Sequence, residues 1–176
     1  MQLTGKQIVE TNIITNYTEA AVQQQGVDVR IDSLSKVGGY GYIPVEGKTE
    51  LGNRTEERIS IRNGKEVFIL TPGYYEVTLK EACKIPNNCV LNYKTRSSLV
   101  RCGVTVFSGQ FDAGFETEAM GCFMEVRHPV RIEPGARIAQ AIVCETYPVS
   151  EENLYNGQWQ NDKQRKNKKG DKEDQK

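Results

Sequence analysis

The 176-residue sequence predicts an all-β fold, a sandwich or barrel of short antiparallel strands behind a brief N-terminal helix. Three observations carry this. Apolar and polar residues alternate over several short runs. Asn-Gly and Pro-Gly turn signals separate those runs at regular intervals. A helical pattern of any length occurs only at the N-terminus.

Over the first dozen residues, Thr4 is placed to cap a helix. Gln7 follows three later, as in a capping box, and Leu3, Ile8 and Ile13 supply apolar anchors. Val27 to Asp32 alternates apolar and charged residues, the pattern of a half-buried strand. Arg58 to Arg62 does the same and runs into Asn63-Gly64, the strongest hairpin signal in the chain, before Glu66–Leu70. Thr71-Pro72-Gly73 turns the chain into Tyr74–Leu79. Further strands are expected over 88–95, 103–107, 118–126, 129–133 and 136–146, with one helical turn at Ser98–Cys102. Gly38-Gly39-Tyr40-Gly41-Tyr42 lacks the Lys-Ser/Thr ending of a phosphate loop and reads as a hairpin loop.

The chain divides into a domain over 1–149, an arm over 150–160 and a tail over 161–176. The tail holds seven Lys or Arg and four Asp or Glu with almost nothing apolar, and it is expected to be disordered. Formal net charge is zero, so no global field draws in nucleic acid or a membrane surface. No apolar run has the length of a membrane span. Five cysteines without C-x-x-C pairing point to a reducing, cytoplasmic setting. The single histidine, His128 before Pro129, disfavours a histidine-based triad or zinc site.

Thr95–Arg101 and Asp112–Phe115 are the most informative segments. Arg96 offers a planar fork of donors that suits phosphate oxygens, and Ser97 and Ser98 can donate to the same oxygens. Asp112, a short hairpin away, can orient or deprotonate a water. A structural Arg96–Asp112 ion pair is the plainer alternative. In the arm, Leu154 to Gln160 places Tyr155 and Trp159 among polar residues. Trp159 either docks on the domain's own surface or closes over a ligand as a lid.

These segments resemble the trimeric dUTPase and dCTP deaminase superfamily over most of residues 1–160. Gly26–Arg30 is similar to its first motif, and Arg96-Ser97-Ser98-Leu99-x-Arg101 to its second. Phe111-Asp112-Ala113-Gly114-Phe115 is similar to the third, and Pro134–Gln140 to the fourth. Gly157-Gln158-Trp159-Gln160 resembles the Gly-Lys-Tyr-Gln arm of deaminases and deaminase-like dUTPases.

The resemblance implies a distorted, β-clip-like jelly-roll assembled as a homotrimer with active sites between subunits. It implies hydrolysis of dUTP to dUMP and pyrophosphate, which limits uracil in DNA. Asp112 would activate the water that attacks the alpha phosphorus. Arg96, Ser97, Ser98, Arg101 and Gln140 would hold phosphates, although Gln140 equally suits bracing the second motif. Main-chain groups of Ser108, Gly109, Gln110 and Phe111 would read uracil, and the Phe115 ring would pack beneath the deoxyribose. Tyr155, Gln158, Trp159 and Gln160 form the arm. Magnesium would be the cofactor, held mainly by substrate phosphates rather than by protein ligands.

Deaminases of the superfamily carry a catalytic Glu at a position that corresponds to Cys122 here, counting from Asp112. Glu116, Glu118 and Glu125 reach that place only through an insertion or bulge. The segment from Ser97 to Asp112 is also shorter than in typical deaminases. Both features are similar to the compact deaminase-like dUTPases. Gln158 replaces the arm's Lys, Thr117 replaces a Gly, and the glycine-rich fifth motif of ordinary dUTPases is missing. Deamination of dCTP, alone or combined with hydrolysis, and a nucleotide-binding regulator with weak turnover are the other readings.

Overall fold

A computed structural model of the chain describes residues 1–160. The expected tail, 161–176, lies outside the described residues. The capping box forms as the sequence requires. Thr4 Oγ1 accepts from Gln7 N, and the Gln7 side chain accepts from Thr4 N at 2.9 Å, opening α1 (Gly5–Glu10). The helix ends at Glu10, short of the expected dozen residues, because Asn12 turns into the left-handed region at φ 56°. Ile8, Ile13 and Ile14 are buried beyond it.

The strands follow in order: β1 (Ile14–Thr15), β2 (Val22–Gln23), β3 (Gly26–Gly38), β4 (Asn53–Glu56), β5 (Ile59–Arg62), β6 (Lys65–Leu70) and β7 (Gly73–Leu79). After these come β8 (Ala82–Lys84), β9 (Cys89–Thr95), α2 (Ser97–Arg101), β10 (Val104–Phe107), β11 (Glu116–Thr117) and β12 (Gly121–Val126). β13 (Val130–Ile132) and β14 (Arg137–Glu145) complete the set. The expected 118–126 strand is shortened at its start to Gly121, and β11 lies ahead of the expected range.

The main sheet runs β10-β12-β7-β3-β14-β9, with β2 and β4 added along β3. Every pairing in it is antiparallel. β3 continues to Gly38, well past the predicted Asp32, and serves two neighbours. Its first half pairs with β14 and its second with β7, with a register shift between Ile31 and Ser33. The two ends of the sheet meet across a single side chain. Thr95 Oγ1, at the end of β9, donates to Val106 O at 2.8 Å and accepts from Val106 N at 2.9 Å. A hydroxyl thus stands in for a ladder step and closes the sheet into a roll. Two three-stranded sheets, β1-β8-β11 and β13-β6-β5, flank it.

Alternation buries Tyr75, Val77 and Leu79 on β7 and Cys122, Met124 and Val126 on β12 in one core. Glu81 is fully buried, and Arg30 satisfies it twice. Its main-chain N donates to Oε2 at 2.8 Å and its Nε to Oε1 at 2.6 Å. This pins β3 to the β7–β8 turn. Burial pushes the Cys83 thiol up to about 12, so it stays protonated at neutral pH. Among the described residues, no helix is long and apolar enough to cross a membrane.

Gly5 shows how tightly α1 seats on β3. A Cβ there would lie 2.2 Å from Gln23 O and 2.3 Å from Gly26 O. Those carbonyls are backbone atoms and cannot yield. Gly5→Ala is therefore expected to lose about 1–3 kcal/mol in denaturant unfolding despite the better helix propensity of alanine. In the native protein at neutral pH, a thiol reagent is expected to label Cys102 while buried Cys83 and Cys122 stay unmodified until unfolding.

Candidate functional site

An open cleft of about 250 Å³ lies where β3, β14 and β9 run side by side. Register explains its lining. Asp28 faces Gln140 across β3–β14, and Gln140 faces Lys94 across β14–β9. Directly opposed residues share a face of the sheet, so these three side chains form a row. Thr95, Arg96, Ser97 and Gln23 complete the wall. Of the expected phosphate ligands, Arg96, Ser97 and Gln140 line the cleft. Ser98 and Arg101 sit on exposed positions of α2 and are not part of its lining. Gln140 takes its place in the wall beside Asp28.

The ion pair at the centre of the cleft was not legible in the sequence. Arg96 does not pair with Asp112, as the structural alternative held. Arg96 Nε lies 3.3 Å from Asp28 Oδ2, and Arg137 Nη1 approaches the same oxygen at 3.3 Å. Arg96 also donates to Arg137 O at 3.2 Å, and Arg137 donates to Ala20 O at 2.8 Å. Asp28 is 3% exposed, whereas both arginines keep roughly a third of their side chains in solvent. A buried acid therefore anchors two guanidiniums whose outer faces remain free for an anion. Burial raises the Asp28 carboxyl above its ordinary range, and the charges of Arg96 and Arg137 oppose that rise.

The hairpin after β10 carries the second group of residues. Ser108, Gly109 and Gln110 form its turn, and Phe111 returns to pair with Leu91 at the start of β9. Asp112 is exposed. Gln110 Nε2 donates to Asp112 Oδ1 at 2.9 Å, so the Gln110 side chain serves the acid while its main chain lies in the turn. Phe111 is buried against Tyr93, and the two rings meet edge to face at 5.3 Å. Phe115 contacts Phe111 at 5.2 Å and Tyr155 at 5.5 Å.

The arm docks on its own chain. Tyr155 N donates to Ala113 O at 2.9 Å, and Gln160 Nε2 donates to Gly114 O at 2.9 Å. Gly114 has φ 86°, and a Cβ there would lie 2.8 Å from Leu154 Cβ, so the contact requires glycine. Trp159 is partly buried, and its main-chain N–H donates to the Tyr155 hydroxyl oxygen at 3.3 Å.

Cys122 is buried inside β12, and burial holds its thiol far above the ordinary range. It cannot exchange protons with a ligand. Glu116 pairs with Lys84 at 3.4 Å, Glu125 pairs with Arg127 at 3.3 Å, and Glu118 is exposed. Among the described residues, no three His, Cys, Asp or Glu side chains converge to hold a metal. The cleft offers one carboxylate, and two arginines already hold it. A lone carboxylate already paired with two arginines is a poor donor set for a divalent cation held by the protein itself.

The native state favours the neutral form of Asp28, so its charge costs stability as pH rises through its raised pKa. Asp28→Asn removes that loss. Its stability is expected to fall less between acid and neutral pH, as read by denaturant melts at several pH values.

The sequence model of the family described as dCTP deaminase-like matches residues 2–146. A deoxyuridine 5'-triphosphate nucleotidohydrolase of Methanocaldococcus jannaschii is 34% identical over 149 residues, covering 83% of this chain and 94% of that protein. A dCTP deaminase of Acidianus ambivalens is 29% identical over 153 residues, covering 84% and 83%. The fold is similar to the crystal structure of 2'-deoxycytidine 5'-triphosphate deaminase from Agrobacterium tumefaciens, with a TM-score of 0.60 at 15% identity over 81% of this chain. The chain spans 48% of that deaminase, and the likeness concerns the fold alone. With the cleft, the hairpin and the arm all carried on this roll, the chain belongs to the dCTP deaminase-like family.

Proposed function

We propose that the chain hydrolyses dUTP to dUMP and pyrophosphate, as a homotrimer whose sites are shared between subunits. The observation that carries this reading is the contrast between positions 112 and 122. Asp112 is a solvent-accessible carboxylate with one oxygen fixed by Gln110. That arrangement suits activation of a water. Cys122, where the deaminase pattern carries its glutamate, is enclosed in the core. The M. jannaschii relative bears the name of the hydrolase.

In this reading the triphosphate lies in the Asp28 cleft. Arg96 and Ser97 donate to its oxygens, Ser98 and Arg101 approach from α2, and Lys94 and Arg137 add charge. Asp28 keeps both guanidiniums oriented. Uracil rests against the Ser108–Phe111 main chain, and the sugar packs on Phe115. A base whose hydrogen-bonding edge does not match leaves polar groups unpaired there, which sets the preference. Magnesium, if carried by the substrate, would neutralise part of the phosphate charge beside Arg96 and Lys94. A cytoplasmic location accords with five cysteines that are all free thiols.

The strand geometry favours a shared site. The Leu91–Phe111 pair stands at one end of β9 and Arg96 just beyond the other. At about 3.3 Å per residue, some 16 Å of strand separates them. A water held by Asp112 of one subunit would then meet phosphates gripped by Arg96 of a neighbour.

The assay supplies magnesium with dUTP or dCTP and measures pyrophosphate and ammonia. Pyrophosphate from dUTP is expected. Ammonia from dCTP would instead mark the deaminase that the A. ambivalens relative represents, and tight binding without product would mark a regulator. Asp112→Asn is expected to abolish hydrolysis while nucleotide affinity stays within about tenfold, because the loss falls on the chemical step. Arg96→Ala is expected to be inactive as well. Dissociating and reassociating the two inactive variants in equal amounts is expected to restore activity at about one quarter of sites. No recovery after mixing would argue against shared sites.

A further inference from the structure

The arm has a second attachment that neither the motifs nor the proposed chemistry uses. A glutamine amide carries a donor and an acceptor side by side, as a peptide unit does, so it can bracket main-chain groups as a neighbouring strand would. Gln158 does this to Thr49. Its Oε1 accepts from Thr49 N at 3.3 Å and its Nε2 donates to Thr49 O at 3.2 Å. Gln160 does it around Phe115. Its Oε1 accepts from Glu116 N at 3.2 Å and its Nε2 donates to Gly114 O at 2.9 Å. Gln160 N also donates to Gly157 O at 3.1 Å, so a single turn holds both glutamines.

Thr49 lies in the connection from β3 to β4, residues 39–52. That connection is a hairpin tied internally at Tyr42 and Glu50, whose main chains exchange hydrogen bonds of 3.0 and 2.9 Å. Its tip shows no packing of its own: Tyr40, Ile43 and Val45 are almost wholly exposed. The Gln158 contact therefore falls on a segment with little else to fix its pose. The place of Gln158 in the arm pattern is that of a lysine, but its amide is turned onto a loop instead of toward the Asp28 cleft.

We infer that Gln158 is a positioning residue that couples the 39–52 hairpin to the Phe115 platform, making that hairpin a second cover over the nucleotide site. The arm turn acts as a two-ended staple. One end fixes the main chain on both sides of Phe115, and the other holds the hairpin at Thr49. A ligand that seats on Phe115 and orders the arm would order the hairpin with it. This rests on the proposed nucleotide chemistry only for its catalytic consequence, since the coupling itself is a property of the free protein.

Two probes in the chain separate these parts. Trp159 is the sole tryptophan and reports on the arm. Lys48 is an exposed tryptic site in the hairpin next to Thr49. In ligand-free protein, Gln158→Leu is expected to raise the rate of trypsin cleavage after Lys48 by about five- to tenfold, because two exposed neutral hydrogen bonds are lost. Trp159 emission is expected to stay unchanged, since Gln160 still docks the arm. Gln158→Glu, which keeps the acceptor and loses the donor, is expected to fall between. For dUTP hydrolysis, Gln158→Leu is expected to raise KM several-fold with kcat within about twofold. Cleavage after Lys48 at the unsubstituted rate, or an unchanged KM, would overturn the inference. Absence of dUTP hydrolysis in the unsubstituted protein would refute the proposed function, and the cleavage comparison would still decide the coupling.

Discussion

The fold depends on the closure made by Thr95. Its hydroxyl bonds both main-chain groups of Val106 and so joins the two free ends of the main sheet. This one residue immediately precedes Arg96, and Val106 leads into the hairpin that carries Asp112. The closure therefore fixes the Arg96 end of the cleft and the course of the acid-bearing hairpin together. A side-chain step here, unlike a full ladder, also leaves space for α2 to leave β9 at once and place Ser97 on the rim of the cleft.

Asp28 sets the electrostatics within that frame. It faces Gln140 across the β3–β14 ladder, and its burial is uncomfortable for a charge. The arginines relieve that discomfort only in part. A buried acid that holds two guanidiniums is a group that stability alone would not select. The aromatic succession Tyr93, Phe111, Phe115 and Tyr155 plays the corresponding part at the other end of β9. It carries packing from the core out to the arm, ring edge against ring face.

Much of this was legible in the residues, and the gaps have physical reasons. Asn63-Gly64 announced the β5–β6 hairpin because only a few residue pairs adopt that turn, and Asn63 and Gly64 both take positive φ. Thr4 and Gln7 announced α1 through a reciprocal bond that depends on spacing alone. β1, β2 and β11 have two residues each, too few to display any period. β3 outran its predicted end because Ser33 to Gly38 lacks clean alternation, and pairing with β4 and β7 holds it extended. Of the cleft lining, Arg96, Ser97 and Gln140 were identifiable by residue type and motif. The partnership of Arg96 with Asp28 was not, since it joins positions far apart in sequence. Nor were Lys94 and Gln23, which enter the cleft only through strand register and folding of the chain ends.

The charge around the cleft has a kinetic consequence. The whole chain is formally neutral, yet Arg96, Arg137 and Lys94 surround a single acid there. Such a cluster projects a field only over about one Debye length, near 10 Å at 0.1 M ionic strength. A polyanion such as the proposed triphosphate would feel little pull from afar, and the attraction would take hold only at the doorstep. Raising the salt concentration would then loosen the grip on the bound anion far more than it slows the encounter.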